Sequence, residues 1–284
     1  MKNEIHPYRT ADGRELFAQS WLPESGPRRV IALVHGLGEH GGRYVQVAEF
    51  FGRSGYAMTA YDLRGHGRTE GARGHIPSWD RLLDDVELHI GETRKRFPGL
   101  PVFLYGHSLG GLLVLSCLLE RKAAATADLC GVIATSPGLA TAEPVAGGKL
   151  LMGKLMYRLA PGFTMDNGLV LSALSRDPEV LRKVQADPLY HRTISARLGL
   201  DFIMTGRRVR AYKGSVAKPL LLVQGTADAI VSPGSTIALA QNLTGDVTLK
   251  TWKGLFHETH NEPEREQVLS FTRDWMESRA SGKA

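Results

Sequence analysis

The chain has little cysteine, no long apolar run and no predominance of one charge sign. Its two cysteines, Cys117 and Cys130, have the spacing of neither a disulfide framework nor a metal site, so we expect both to be reduced packing residues. No run approaches the roughly 18 apolar residues of a membrane-spanning helix, and residues 1–16 contain no apolar segment of the kind found in signal peptides. The default expectation is a globular protein of the cytoplasm.

Positive and negative side chains are mixed along the chain. There are 35 lysines and arginines beside 29 acidic residues, which gives a formal net charge of +6. Because no basic stretch stands apart, the sequence predicts no nucleic-acid partner. The small positive excess favours at most weak attraction to an anionic membrane surface, and a merely solubilising surface is the alternative. Nothing in the sequence indicates an oligomeric state.

The most informative stretch is residues 102–111, VFLYGHSLGG, in which an apolar run ends at a Gly-x-Ser-x-Gly pattern. In a nucleophile elbow a strand turns directly into a helix, and the central serine is exposed above the sheet. Glycines are needed on both sides because the chain segments almost touch there. The residues before Gly106 are β-prone and those after Ser108 have a helical pattern. Ser108 is therefore the predicted nucleophile.

Apolar runs that predict buried strands alternate with amphipathic runs that predict helices along most of the chain. This alternation predicts an α/β fold with a mainly parallel central sheet flanked by helices. A β-hairpin at a sheet edge is predicted over residues 5–22. The predicted strands cover 29–35, 55–61, 100–105, 131–135, 219–224 and 247–252. The predicted helices cover 44–53, 79–97, 109–121, 233–243 and 263–279, and Ser78 is the predicted N-cap of the second.

The alternation stops between residues 140 and 212, where Pro and Asp-Pro breaks separate short helical patches at 168–175 and 178–185. We predict a core of residues 1–139 and 213–284, with residues 140–212 inserted as a helical cap over the carboxyl ends of the strands. An apolar stretch in the cap, which includes Leu150, Leu151 and Leu155, either faces the core or lines a substrate tunnel. In the second case these three leucines contact the substrate.

A serine nucleophile needs a base, and the base needs an acid to fix its tautomer. In a nucleophile-elbow hydrolase the order along the chain is serine, acid, histidine. His257 follows the last predicted strand and Asp228 follows the apolar strand before it, so both reach the carboxyl edge of the sheet. Ser108, Asp228 and His257 are the predicted catalytic residues.

The loop after the first buried strand has two interpretations. Gly36, Gly38 and Gly41 form a G-x-G-x-x-G pattern with Asp62 about twenty residues later, as in a dinucleotide-binding site. Against this, Glu39 lies inside the turn and would repel a pyrophosphate. The alternative is an oxyanion loop whose backbone N–H is supplied by Leu37, and this interpretation also accounts for Ser108.

Five segments together resemble one family, the monoacylglycerol lipase and lysophospholipase branch of the α/β-hydrolases, and they are spread across nearly the whole chain. They are VHGLGEHGGRY (34–44), DLRGHG (62–67), GHSLGG (106–111), GTAD (225–228) and FHETHNE (256–262). The resemblance implies an α/β-hydrolase fold, hydrolysis of monoacylglycerol to glycerol and fatty acid, a lipid ester as the partner, and no cofactor or metal.

The resemblance also implies residue roles. Ser108, Asp228 and His257 match the family's triad, and the backbone N–H groups of Leu37 and Leu109 match its oxyanion hole. A polar glycerol end is implied near Glu39 and Arg43. The family often has a smaller residue at position 37 and a methionine at position 109; neither change alters a backbone donor, but a bulkier Leu37 is expected to reshape the acyl entrance.

Several alternatives stay open at the level of the sequence. Another carboxylesterase, a lysophospholipase, a thioesterase or an aminopeptidase is compatible with the same fold, because fold does not determine substrate. An NAD-dependent oxidoreductase is a more distant alternative that rests on the glycine loop and Asp62. A transient contact between the cap and a membrane surface, with the protein at the periphery of the membrane, is a further expectation.

Overall fold

A computed structural model of the chain describes residues 1–121 and 126–280. Its strands are β1 (Lys2–Ile5), β2 (Tyr8–Arg9), β3 (Glu15–Leu16), β4 (Ala18–Leu22), β5 (Arg29–Val34), β6 (Tyr56–Tyr61), β7 (Val102–His107), β8 (Leu129–Thr135), β9 (Thr164–Asp166), β10 (Thr193–Ser195), β11 (Gly214–Ser215), β12 (Leu220–Gly225), β13 (Leu243–Thr244) and β14 (Val247–Trp252). Its α-helices are α1 (Val45–Gly52), α2 (Trp79–Arg96), α3 (Leu109–Glu120), α4 (Gly147–Leu159), α5 (Pro178–Ala186), α6 (Ala196–Arg210), α7 (Pro233–Asn242) and α8 (Arg265–Ala280). Single 3₁₀ turns cover Gly41–Tyr44, Leu171–Ala173 and Thr259–Asn261.

Eight strands form one sheet in the order β1-β4-β6-β5-β7-β8-β12-β14. All pairs from β6 to β14 are parallel, and only β1 and β4 are antiparallel to their neighbours. Apolar side chains alternate between two core clusters, one on each face of the sheet, which is why the strands read as continuous apolar runs. The predicted α/β fold and its buried strands are confirmed.

Helix boundaries follow local capping chemistry. Ser78 has an extended backbone and its Oγ accepts a hydrogen bond from the backbone N–H of Arg81 at 3.3 Å, so α2 begins where the sequence predicts.

Both cysteines are buried and free, Cys117 in α3 and Cys130 in β8. No helix in the described ranges combines the length and apolar character needed to cross a bilayer.

The predicted N-terminal hairpin is only partly correct. β2 and β3 pair antiparallel around the predicted turn, but each has two residues. The edge of the main sheet is instead made by β1, which pairs antiparallel with β4. The polar side chains of residues 10–14 shorten the hairpin because they hydrogen-bond to each other and to Arg64 rather than continue the ladder.

Between β8 and β12 the chain leaves the sheet and forms α4, α5, α6 and the small β9–β10 antiparallel pair. The predicted patch at 178–185 is confirmed as α5, whereas the patch at 168–175 is wrong, since only one 3₁₀ turn forms there. The long helix α6 has no counterpart among the predictions, because Gly199 and Gly206 lower its helix propensity. Gly206 is required by packing: a Cβ there would lie 2.6 Å from the carbonyl oxygen of Leu139.

Helix α4 is amphipathic but has no buried residue. Leu151 and Leu155 are 70% and 50% exposed, and Leu159 is exposed beside them. The expectation that these leucines face a core or a tunnel therefore fails for the outer face of α4, because none of the described residues covers that side of the helix. Leu150 is the exception, and it turns towards the interior.

Candidate active site

Ser108 lies at the junction of β7 and α3 with φ 54° and ψ −114°, a conformation that a non-glycine residue adopts only under strain. The flanking glycines allow it. A Cβ at Gly106 would overlap the backbone of Gly110, and a Cβ at Gly110 would overlap the carbonyl oxygens of Val34 and His35. The elbow therefore presses against the end of β5, as the close approach predicted from the glycines requires.

The three residues predicted as a triad are in hydrogen-bonding contact. The Nε2 atom of His257 lies 2.9 Å from Ser108 Oγ, and its Nδ1 lies 2.8 Å from Asp228 Oδ2. All three side chains are buried. A neutral imidazole that donates from Nδ1 to the carboxylate is left with Nε2 free to accept the serine proton.

Asp228 is held in place from several directions. Its Oδ1 accepts the backbone N–H groups of Ile230 and Val231 at 2.9 and 3.0 Å, and its Oδ2 accepts an N–H of Gln224 at 3.0 Å. Thr236 in turn donates to the Gln224 amide oxygen at 2.9 Å. These contacts leave the carboxylate no freedom to rotate away from His257.

The pKa shifts of the acid and the base agree with this geometry. Burial alone would lower the pKa of His257, but the charge of Asp228 and the hydrogen bond to it outweigh burial and raise it. Burial likewise opposes ionisation of Asp228, yet His257 and the two backbone donors lower its pKa. The carboxylate is therefore ionised when the imidazole takes up a proton.

A second strained serine supports the histidine loop. Ser136 follows β8 with φ 42°, and its Oγ donates to the carbonyl oxygen of His257 at 2.7 Å. The sequence analysis did not identify Ser136. The only local signal is its place directly after a buried strand, at the same sheet edge as Ser108.

The backbone N–H groups of Leu37 and Leu109 fit the expected oxyanion role. Leu109 is the first residue of α3, where N–H groups lack helical partners, and Leu37 lines the cavity next to Ser108. Neither N–H donates to another residue within 1–121 or 126–280. The positive end of α3 adds to the attraction for a developing negative charge. The assignment of an oxyanion hole stays a prediction.

Glu39 and Arg43 lie beside Ser108 in a buried network with a partner that the sequence analysis missed. Arg43 makes a bidentate pair with Glu258, at 2.9 Å for both bonds, and donates to Glu39 at 2.7 Å. Glu39 also accepts the hydroxyl of Tyr44 at 2.8 Å. Glu258 is next to His257 in the chain but 215 residues from Arg43, so no local pattern reveals the pairing.

The two carboxylates share one guanidinium, and their pKa values diverge. Burial raises the pKa of Glu39, where the attraction of Arg43 is opposed by the nearby Glu258. Burial would also raise the pKa of Glu258, but the bidentate pair with Arg43 lowers it to about 2. These residues, with Tyr190 and Leu174, wall a small pocket of about 20 Å³ that also touches Ser108 and His257.

The dinucleotide interpretation of the glycine loop is wrong. Asp62 Oδ1 accepts the backbone N–H of Gly41 and Oδ2 accepts that of Arg68, both at 2.8 Å. Its buried carboxylate thus fixes two loops and is not directed at a ribose. Glu39 fills the turn, where its Oε1 accepts the N–H of Gly36 at 2.5 Å.

An apolar cavity of about 170 Å³ opens from Ser108 into the insertion. Of the three leucines predicted to contact substrate, only Leu150 lines it; Leu151 and Leu155 lie on the outer face of α4. Most of the wall consists of residues that the sequence analysis did not single out, and these include Met165, Leu169, Ile194, Leu200, Phe202, Ile203, Ile230 and Val231. An extended apolar chain with its carbonyl carbon at Ser108 matches this cavity in chemistry.

The chain matches known proteins over nearly its whole length. Residues 25–264 match a family model described as Serine aminopeptidase, S33. A monoacylglycerol lipase of Mycolicibacterium smegmatis is 32% identical over 275 residues, 96% of either chain. An abhydrolase domain-containing protein of Dictyostelium discoideum is 34% identical over 98% of this chain, which spans only 29% of that protein's length.

Solved structures agree. A monoacylglycerol lipase from Paleococcus ferrophilus is 32% identical and superposes with a TM-score of 0.81, over 98% of this chain and 100% of that one. A soluble variant of monoglyceride lipase from Saccharomyces cerevisiae, in complex with a substrate analog, has a TM-score of 0.88 at 21% identity over 98% and 95% of the chains, so it speaks for the fold alone. The chain therefore belongs to the serine aminopeptidase S33 family, has the α/β-hydrolase fold, and is a serine ester hydrolase.

Proposed function

We propose that this protein hydrolyses monoacylglycerols to glycerol and fatty acid, with Ser108, His257 and Asp228 as catalytic residues. The observation that carries the proposal is the hydrogen-bonded chain of these three side chains between an apolar cavity and a small polar pocket. The apolar cavity suits an acyl chain, and the small polar pocket at Glu39 and Arg43 has room for a single hydroxyl-sized group of the glycerol. The segment 140–212 acts as the cap that supplies most of the wall of the apolar cavity.

The proposed reaction has two acyl-transfer steps. Ser108 Oγ attacks the ester carbonyl carbon while His257 Nε2 takes the serine proton, and Asp228 stabilises the resulting imidazolium. The N–H groups of Leu37 and Leu109 bind the oxyanion. His257 then gives its proton to the departing glycerol oxygen, which leaves the acyl group on Ser108. A water molecule, activated by His257, repeats the sequence and releases the fatty acid.

The direct test is hydrolysis of monoacylglycerols of increasing chain length beside the corresponding di- and triacylglycerols. We expect turnover confined to monoacylglycerols, because the cavity accommodates one acyl chain. Lysophospholipids, peptide amides and acyl thioesters are assayed in parallel as the alternative substrates. Higher kcat/KM for any of these than for monoacylglycerols would reassign the substrate while leaving the hydrolase intact.

The pH dependence should report the raised pKa of His257. The base must be neutral to accept the serine proton, so kcat/KM is expected to fall as the pH drops through the pKa of His257, which lies above the ordinary pKa of a histidine side chain. In Asp228→Asn the anion that raises this pKa is gone, so the residual activity should extend to lower pH. A pH profile of kcat/KM for both forms gives the measurement; an unshifted acid limb in the variant would contradict the assigned cause.

We also propose that the outer face of α4 contacts lipid surfaces transiently. Leu151, Leu155 and Leu159 are exposed there, and Lys154 and Arg158 lie on the same helix. Co-sedimentation with anionic and neutral vesicles should show weak binding that is stronger for the anionic ones and is reduced in Leu151→Ser/Leu155→Ser. Equal sedimentation of wild type and variant would argue against the contact, and activity on a dispersed short-chain ester should be the same in both.

A further inference from the structure

A second cavity, of about 260 Å³, adjoins the apolar cavity. The two share a wall made of Thr141, Val145, Leu150, Phe202 and Ile203. Ser108 lines only the first cavity, whereas Arg207 and Arg210 line only the second. The second cavity therefore lies beyond the shared wall as seen from the nucleophile, and we call it the arginine pocket.

Neither guanidinium group of the arginine pocket is paired with a carboxylate of residues 1–121 or 126–280. Arg207 and Arg210 are three residues apart on α6 and so lie on one face of the helix. The exposed side chain of Arg207 has no hydrogen bond or ion pair with any described residue, and the side chain of Arg210 makes one contact, at 3.4 Å to the hydroxyl of Ser235. No acidic residue lines the pocket. Arg208, between them, points elsewhere and pairs with Glu120.

The shared wall is held unevenly. On one side the Phe202 ring packs closely against Gly138. A Cβ atom at position 138 would overlap the Cζ atom of Phe202, so this part of the wall is tightly packed. On the other side Leu150 belongs to α4, none of whose residues is buried. A helix with so little buried apolar surface is displaced at low cost in free energy. An acyl chain that fills the first cavity can therefore continue past Leu150 into the arginine pocket.

We propose that the arginine pocket binds an anionic group at the far end of the acyl chain, so that the enzyme also hydrolyses monoesters of dicarboxylic acids. This inference rests on the proposed function, since it needs Ser108 as nucleophile and the acyl chain in the first cavity. Water adds across the ester bond and releases the alcohol and the dicarboxylate; the distal carboxylate undergoes no bond change. Guanidinium groups suit that role because they bind carboxylates through paired, charge-assisted hydrogen bonds.

The test compares two matched series of esters of one alcohol, in which acyl chains of equal length end either in a free carboxylate or in a methyl group. The quantity of interest is the ratio of kcat/KM for the charged and the neutral ester. We expect the ratio to rise at the chain lengths that reach the arginine pocket. It should fall about tenfold in Arg207→Gln and in Arg210→Gln, the effect of losing one charge-assisted hydrogen bond near solvent.

The controls separate this inference from the proposed function. Arg208→Gln is the matched control and should leave the ratio of kcat/KM for the charged and the neutral ester unchanged. Arg207→Lys keeps a positive charge, so its ratio should lie between those of the wild type and Arg207→Gln. Neutral esters should be hydrolysed equally by all these variants. A ratio that is the same in wild type and in both glutamine variants would overturn the arginine pocket as an anion site. If neutral esters are not hydrolysed either, the proposed function fails, and calorimetric binding of the free dicarboxylic acid to wild type and Arg207→Gln still decides the pocket.

Discussion

Replacement of Ser108 by alanine is expected to lower kcat for a monoacylglycerol about 10⁶-fold, the loss typical when the nucleophile of a triad is removed. Without Oγ no acyl-enzyme can form, and His257 loses the group whose proton it accepts at 2.9 Å. What remains is attack by water, assisted by substrate binding and by the proposed oxyanion donors Leu37 and Leu109. The measurement is single-turnover and steady-state hydrolysis of the same ester, with the folded state checked by thermal unfolding.

Ser116→Ala is the matched control for this experiment. Ser116 is also buried in α3, and its Oγ has no hydrogen-bond partner in the described chain, so its removal should change neither activity nor stability appreciably. Ser108→Ala should in addition resist an acylating active-site reagent that labels the wild type. Retention of activity in Ser108→Ala would refute every mechanism that uses the elbow serine.

Replacement of Arg43 by methionine is expected to lower the free energy of unfolding by about 3–5 kcal/mol, the typical cost of leaving a buried charge without its partner. Glu39 and Glu258 are both buried against this guanidinium, and each would have to ionise alone or take up a proton. Their pKa values in the folded variant would then be raised. The difference in free energy of unfolding between wild type and variant should therefore be largest at neutral pH. It should shrink as the pH falls to the ordinary carboxyl pKa, because the buried carboxylates of the variant then take up protons.

In the wild type, Glu258 stabilises the folded state, because Arg43 lowers its pKa to about 2. This stabilisation is fully present above the pKa that Glu258 has in the unfolded chain, and it is lost as the pH falls from there to about 2. Denaturant unfolding at neutral and acidic pH measures both effects. The triple variant Glu39→Gln, Arg43→Met, Glu258→Gln removes all the charges and should recover most of the loss. A loss that does not depend on pH, or that the triple variant does not relieve, would show that packing rather than charge is responsible.

Features set by short segments of sequence could be predicted, and those set by distant contacts could not. The buried strands are short continuous apolar runs, and the close approach of chain segments around Ser108 requires the two glycines Gly106 and Gly110. The position of Asp228 and His257 at one sheet edge follows from the strands that precede them. By contrast, the pairing of Arg43 with Glu258 joins residues at opposite ends of the chain.

The insertion was the hardest part to predict for a physical reason. An amphipathic pattern predicts that a helix has an apolar face, but it does not predict which residues pack against that face. On α4, none of the described residues covers Leu151 and Leu155. Helix α6 shows the reverse case, since Gly206 weakens its local preference while the close approach to Leu139 requires it. Tertiary packing decided both outcomes.

The close contact between Gly110 and the carbonyl oxygens of Val34 and His35 has a consequence for how such an enzyme can diverge. It joins the turn at Ser108 to the strand that leads into the Leu37 loop, so the proposed nucleophile and the proposed oxyanion donor are linked by a contact that leaves no room for a side chain at position 110. Most of the wall of the apolar cavity, from Thr141 to Ile203, comes instead from the single insertion between β8 and β12. Mutations can accumulate in that insertion and alter which acyl groups enter, while the bond-breaking apparatus is inherited intact.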